Sequence, residues 1–225
     1  MAIFKRARKT PFRLTYGTVL PNHRSGGETD MLRDAFRSRP LKDAPYDFLL
    51  EATCSAEKVY PLFSALTAFV DPACMAILED HKSEATVTYA STGFSKERVL
   101  DHFGEHSFQL VNDGFTGFGL ASESFEVFVS DHKAVLIYCH RLPPTERVLR
   151  SFNLEENGKL ALLGSLKHYH VDLGAFFDSE LSKLAEPLPA PEMERFKRGP
   201  SEYNRFRQAL VSNLEMQVRS RTAPT

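Results

Sequence analysis

Tryptophan is absent from these 225 residues, and cysteine occurs only three times. Cys54, Cys74 and Cys139 are odd in number and widely spaced, and none belongs to a CxxC pair. That excludes a disulfide framework, a zinc knuckle and a thioredoxin-type redox site. Each lies in an apolar context and reads as a reduced, buried thiol. No apolar run approaches the roughly 20 residues that span a bilayer. The start, Met1 to Lys9, lacks the apolar stretch of a secretory signal, so a cytosolic location is expected. Internal repeats and low-complexity tracts are missing too.

Hydrophobic residues make up 42% of the chain and charged residues 25%, as in ordinary globular proteins. The length fits one large domain or two small ones, enough to bury a core. The net charge of −1 hides a split. Residues 1–45 carry 10 Lys/Arg against 4 Asp/Glu and residues 192–225 carry 7 against 4, which leaves the middle strongly acidic. The densest basic cluster is Lys5, Arg6, Arg8 and Lys9, a candidate arm for nucleic acid or an anionic surface. No aromatic-interleaved basic groove accompanies it, which argues against single-strand binding.

Periodicity places the elements. Leu14 to Leu20 reads as a short strand, and Met31 to Arg37 as a brief helix before Pro40 and Pro45. Phe48, Leu50, Ala52 and Cys54 alternate with Leu49, Glu51 and Thr53 as a strand, and Ser55 is a candidate cap for the following helix. Val59, Leu62, Phe63 and Leu66 recur at helical spacing, with Pro61 against an ideal helix. Ala73 to Leu78 is strand or short helix. Ala85 to Tyr89 alternates as a strand, Ser95 caps a helix that Gly104 stops, and Ser107 to Val111 reads as another strand. Residues 47–111 then follow the order β-α-β-β-α-β, that of the ferredoxin-like unit.

Strands at Phe118–Ala121, Phe125–Val129 and Ala134–Cys139 come next. The last two form a hairpin about Ser130 to Lys133. With Ser130 opposite Lys133, Phe125 pairs with Tyr138, Val127 with Leu136 and Phe128 with Val135, and both faces look apolar. Such strands are covered on both sides. Pro143-Pro144 opens a helix carrying Val148, Leu149 and Phe152. Leu160 to Val171 reads as one or two strands, and Ala175 to Leu184 as a helix. From Pro200 an amphipathic helix displays Tyr203, Phe206, Leu210 and Leu214. The expected fold is α+β: a mixed or mainly antiparallel sheet with helices on it. Its organisation is a basic segment 1–44, a core domain 45–186, a proline-rich linker 187–199 and a terminal helix 200–225.

The sharpest constellation is His168-Tyr169-His170-Val171-Asp172. On a strand, side chains two apart share a face, so His168, His170 and Asp172 point together. They are nitrogen and oxygen ligands suited to a divalent metal such as zinc, manganese or iron. Over five residues the string resembles the start of the HxHxDH signature of the metallo-β-lactamase superfamily. That resemblance implies a metal-dependent hydrolase. The sixth position is Leu173 instead of His, and only 53 residues follow Asp172. The chain as a whole is assigned to no family.

Weaker candidates are His102 and His106 as an i, i+4 pair, and the glycine-rich Gly114 to Gly119, which matches neither GxGxxG nor a P-loop. That segment reads as a turn with special backbone angles, and Phe115 or Phe118 as contact residues for a partner. Ser122 and Ser124 form no GxSxG elbow. Cys139 and His140 face opposite ways on a strand. Asp131-His132-Lys133 is a polar hairpin tip, and Glu79-Asp80 and Glu155-Glu156 lie at element ends.

With no catalytic set, the first expectation is a non-enzymatic protein-binding role of regulatory, immunity or inhibitor type, without a cofactor. The second is a metal-dependent hydrolase built on His168, His170 and Asp172. The third is nucleic-acid or anionic-surface binding through the N-terminal arm.

Overall fold

A computed structural model describes residues 12–20, 32–174 and 205–222, with Pro191, Glu192 and Glu194. The basic arm at Lys5 to Lys9, the expected helix at Ala175–Leu184 and most of the proline-rich linker lie outside the described residues. The chain is α+β. Its strands are β1 (Thr18–Val19), β2 (Ala35–Pro40), β3 (Phe48–Thr53), β4 (Met75–Asp80), β5 (Thr86–Ser91) and β6 (Thr116–Ala121). They continue as β7 (Phe125–Val129), β8 (Val135–Cys139), β9 (Glu155–Glu156), β10 (Tyr169–His170) and β11 (Gln217–Thr222). The described helices are α1 (Ala56–Leu66), α2 (Lys96–Glu105), α3 (Ser107–Asn112), α4 (Leu142–Ser151) and α5 (Phe206–Asn213).

Nine strands form one mixed sheet in the order β11-β5-β4-β6-β7-β8-β3-β2-β9, and β1 pairs with β10 in a separate ribbon. Among the described residues, only the β2–β9 pairing is parallel. The strand–helix–strand–strand–helix order over 48–105 is present, with its strands taken into this larger sheet. β2 and β11, from the two basic ends, belong to the sheet as well.

One face of the sheet is apolar because alternate residues line up across the register. Leu78, Phe118, Val129, Val135 and Ala52 form one cross-strand row, and Ala76, Leu120, Val127, Ile137 and Leu50 form the next. All ten are buried, and the helices pack on them through Val59, Leu62, Phe63, Phe103, Leu149 and Phe206. Each fully buried aliphatic or aromatic side chain contributes about 1.5–3 kcal/mol. Phe118 meets Phe63 and Phe103 edge-on, at centroid distances of 5.0 and 5.8 Å, the geometry that ring quadrupoles favour. The three cysteines are unbonded and buried.

Several expectations change in contact with this architecture. Residues 35–40 form strand β2, not the end of a helix, because Phe36 is fully buried opposite Ala52 and Arg37 pairs with Glu51 across the strands at 2.7 Å. Ser107–Asn112 is helix α3, not a strand. Leu110 and Val111 are neighbours and both are buried, which a half-buried strand would forbid. The strand expected at 14–20 shrinks to Thr18–Val19, and 160–171 holds one 3₁₀ turn, Leu163–Ser165, before β10. α2 runs through Gly104 to Glu105. Ser95 caps α2 by accepting from Arg98 N–H, whereas Ser55 makes no such bond and accepts from Arg13 N–H instead. After α5 the chain turns into β11, whose six residues are all exposed and whose register slips by one residue at Arg219.

The hairpin register also shifts by one. Phe125 pairs with Cys139, Val127 with Ile137 and Phe128 with Leu136. Lys133 adopts φ 58° and adds a residue to the turn, closed by bonds from Ser130 N–H to Ala134 O and from Lys133 N–H to Ser130 O. Consequently Phe125, Val127, Val129, Val135, Ile137 and Cys139 share the core face, and Glu126, Phe128, Leu136 and Tyr138 lie half-buried on the other.

Phe128 explains the glycines. Gly117 and Gly119 sit inside strand β6, not in a turn, and the Phe128 ring fills the place of their side chains. A Cβ on Gly119 would lie 2.7 Å from Val127 O and 2.8 Å from Phe128 Cδ2. Gly119→Ala should therefore destabilise the protein by about 1–3 kcal/mol. Gly158→Ala, with no atom within 4 Å of its Cβ, should stay within about 0.5 kcal/mol of wild type. Urea unfolding checks both, and equal midpoints would refute the account of the ring.

Candidate metal centre

Three histidine rings converge where the β7–β8 turn meets the β1–β10 ribbon. One nitrogen from each of His132, His168 and His170 lies within 4.8 Å of the other two, the one such metal-ligand cluster among the described residues. Ring centroids are 4.7–4.9 Å apart, all edge-on. His168 and His170 share a face because the chain is extended there; Tyr169 points the other way, 54% exposed. His132 is carried by the turn that Lys133 closes with its positive φ.

The ribbon is held at the turn by a backbone junction. Val171 N–H donates to Gly17 O at 2.9 Å and Gly114 N–H to Val171 O at 3.2 Å. A side chain at Gly17 would run into Gly114 N, and one at Gly114 into Gly17 O and Val171. Only glycine permits this approach. It sets the Gly114 carbonyl against His170 Nδ1 in a hydrogen bond. On the other side, a Cβ on Gly164 would touch the His132 ring at 3.3 Å.

The hydrogen bonds decide the tautomers. A carbonyl only accepts, so His168 Nδ1, 2.7 Å from Leu166 O, is a donor, and so is His170 Nδ1 against Gly114 O. His132 Nδ1 lies 2.6 Å from Asp131 Oδ1 and is a donor on the same ground. In its neutral form each ring thus carries its lone pair on Nε2. His168 Nε2 and His170 Nε2 face each other at 2.8 Å, which two lone pairs do not tolerate without a cation between or beside them. A proton is one such cation and a metal ion is another. Burial pushes His170 below the usual imidazole value, against the Gly114 carbonyl and the Asp131 carboxylate, which favour its charged form. A metal ion fits: ligating histidines characteristically donate their other ring N–H to a carbonyl or carboxylate. Zn–N bonds of 2.0–2.1 Å imply an N···N edge of about 3.3 Å, so the two rings need open by only about half an ångström.

Asp131 organises the rim. Its Oδ2 lies 3.9 Å from His170 Nε2 and 3.8 Å from His81 Nδ1. Burial works to raise its pKa, but the His132 hydrogen bond and the charges of His132, His81 and His170 win and hold it well below the usual carboxylate range. His81 follows the opposite logic. Burial lowers it, yet the hydrogen bond to Glu79 at 3.1 Å and the carboxylates of Asp131 and Glu79 bring it above its ordinary value. Next to His132, Lys133 is buried with Nζ donating to Thr116 O at 2.5 Å, and burial pushes it down to about 8. A cavity of about 20 Å³ lies against His132, Lys133, Cys54 and Leu163, enough for one water.

Asp172 stands apart from the three rings. Its Oδ2 accepts from Lys82 Nζ at 2.6 Å and faces Arg207 Nη2 at 3.6 Å, while Oδ1 accepts from Gly174 N–H. His102 lies near Glu105, and the His106 ring lies tilted against Phe206 at 6.3 Å. Phe118 is wholly buried and so is not the free contact residue expected, while Phe115 is half-buried with its ring against His170. His140 pairs with Asp47, Ser122 Oγ bonds Phe125 O, Ser124 bonds Asp71, and Glu156 pairs with Arg150. Sequence reasoning marked the Asp131–Lys133 tip only as a polar turn, did not join His132 to the 168–170 pair, and missed His81. A histidine in a turn was the only signal, and no spacing rule links it to a pair more than 30 residues on. Comparison with family models, with curated proteins and with solved structures gives no match.

The pKa directions set the acid response. Asp131 stabilises the fold above its unfolded value of about 3.9, and that contribution is lost as pH falls through its lower folded value. His170 costs stability as pH drops below about 6.5, because its folded form resists the proton. Asp131→Asn should lower the pKa of His81 in an NMR titration and flatten the loss of stability below about pH 4. A His81 titration that does not move would assign its shift to Glu79 alone.

Proposed function

We propose that this chain is a metal-binding protein. In this reading a divalent transition-metal ion of the zinc class is held by His132, His168 and His170. What supports it is the hydrogen-bond pattern: each Nδ1 is committed to an oxygen acceptor, and two of the Nε2 lone pairs confront each other at 2.8 Å. The ligand set differs from the one expected from the HxHxD string, with His132 in the place of Asp172.

Three histidines leave a coordination position open, and an ion so held supplies Lewis acidity and an activated water, the basis of metal-dependent hydrolysis. The chain's own residues would do the rest. Asp131 orients His132, fixes its tautomer and lowers the net charge beside the ion. His81, backed by Glu79 and adjacent to Asp131, stands as a proton acceptor beside the centre. The small cavity beside His132 is of a size to admit one water. The protein-binding reading loses Phe118 as a contact, and no geometry at the site favours it over the metal.

Tag-free protein dialysed against zinc should retain about one ion per chain by mass spectrometry. His132→Ala, His168→Ala and His170→Ala should each lower zinc affinity at least 100-fold, and affinity should fall as pH drops through about 6.5, since ligation needs neutral rings. Less than about 0.2 ion per chain in the wild type, against the near-stoichiometric loading of a tight site, removes this reading.

A further inference from the structure

We infer that Arg207 is the positioning residue that sets His170 and couples the C-terminal helix to the tri-histidine centre, an inference that rests on the metal reading above. Arg207 is carried on α5, which Phe206, Leu210 and Leu214 anchor in the main core. Its side chain is 4% exposed and lies among three carboxylates. Nη1 donates to Asp113 Oδ1 at 2.6 Å and to Thr116 Oγ1 at 3.0 Å, Nη2 faces Asp172 at 3.6 Å, and Nε faces Asp80 at 3.6 Å.

Two of those carboxylates bracket His170. Asp113 precedes Gly114, whose carbonyl holds His170 Nδ1, and it also accepts from Phe115 N–H, Thr116 Oγ1 and Leu173 N–H. Asp172 follows His170 by two residues and is clamped from outside by Lys82. The guanidinium therefore ties the segment before the Gly114 carbonyl to the segment after the His170 ring. The planar fork suits this double grip; an ammonium group offers a single point of charge. Buried charge so arranged is poorly explained by stability alone, because burying the Arg207–Asp113 pair, with Asp80 and Asp172 half-buried around it, is costly. It is well explained by the need to hold one imidazole in a fixed pose. Coupling of this kind is reciprocal: metal at the centre must also tighten α5.

The test uses the full chain without a tag, with zinc and cobalt(II) as probes. Arg207→Lys should keep the wild-type circular dichroism and cooperative unfolding while weakening zinc binding about 10- to 100-fold, the range for ligand-orienting partners. Its cobalt(II) visible spectrum should differ from that of the wild type, which a purely structural role would not produce. Zinc should also slow proteolysis within α5 in the wild type and lose that effect in the variant. If Arg207→Lys does not fold, Asp172→Asn at the outer side of the bracket serves, with the same two readouts. Wild-type zinc affinity and an unchanged cobalt spectrum in the folded variant overturn this inference and leave the metal reading standing. A wild type that takes up no zinc overturns both.

Discussion

The meeting of Gly17, Gly114 and Val171 is the constraint on which the rest of the site depends. Three stretches far apart in sequence touch there backbone to backbone, through two hydrogen bonds and with no room for a Cβ. This contact docks the small β1–β10 ribbon on the end of the main sheet. It also turns the Gly114 carbonyl toward His170 and brings His168 beside the turn that bears His132. Glycine at these positions is a packing requirement first; the imidazole geometry follows from it.

Charge is concentrated around this junction to an unusual degree for so buried a region. Arg207, Lys133 and Asp113 are all nearly inaccessible. Their burial is tolerable because each is paired or hydrogen-bonded: Arg207 with Asp113, and Lys133 with the Thr116 carbonyl. Lys133 carries a further cost, since a lysine at φ 58° occupies a backbone region that costs non-glycine residues about 1–2 kcal/mol. The same residue adds the extra position that sets the hairpin register and presents His132. Local strain and a buried amine thus sit in one turn at the proposed metal centre, a pattern associated with functional sites.

The apolar rows of the sheet were legible in the sequence because their signal is local. Alternation over 48–54, 85–89 and 118–139 marks strands, and the spacing of Val59, Leu62 and Phe63 or of Val99 and Phe103 marks helices. The errors fall where tertiary burial overrides period. Val111 beside Leu110 is buried on both sides in α3, and Phe36 beside Arg37 belongs to a strand whose partner is a dozen residues on. The hairpin register depended on one left-handed lysine, which composition does not announce. At the site, the spacing of His168 and His170 was readable because strand geometry fixes it. His132 was not, because its proximity is created by the sheet order and the glycine junction.

The outer strand β11 has a bearing on how the molecule behaves among copies of itself. It ends the nine-strand order and exposes all six of its residues, which makes it a template for pairing with another chain. Two features of its own sequence oppose that. The register slip puts Arg219 out of the ladder, bending the edge, and Arg221 adds a second charge. At the opposite edge β9 offers only two acidic residues, and the part of β2 beyond it carries Arg37 and Arg39 and ends at Pro40. A bent, basic edge and a stunted, charged one give the broad sheet a defence against end-to-end growth into fibrils.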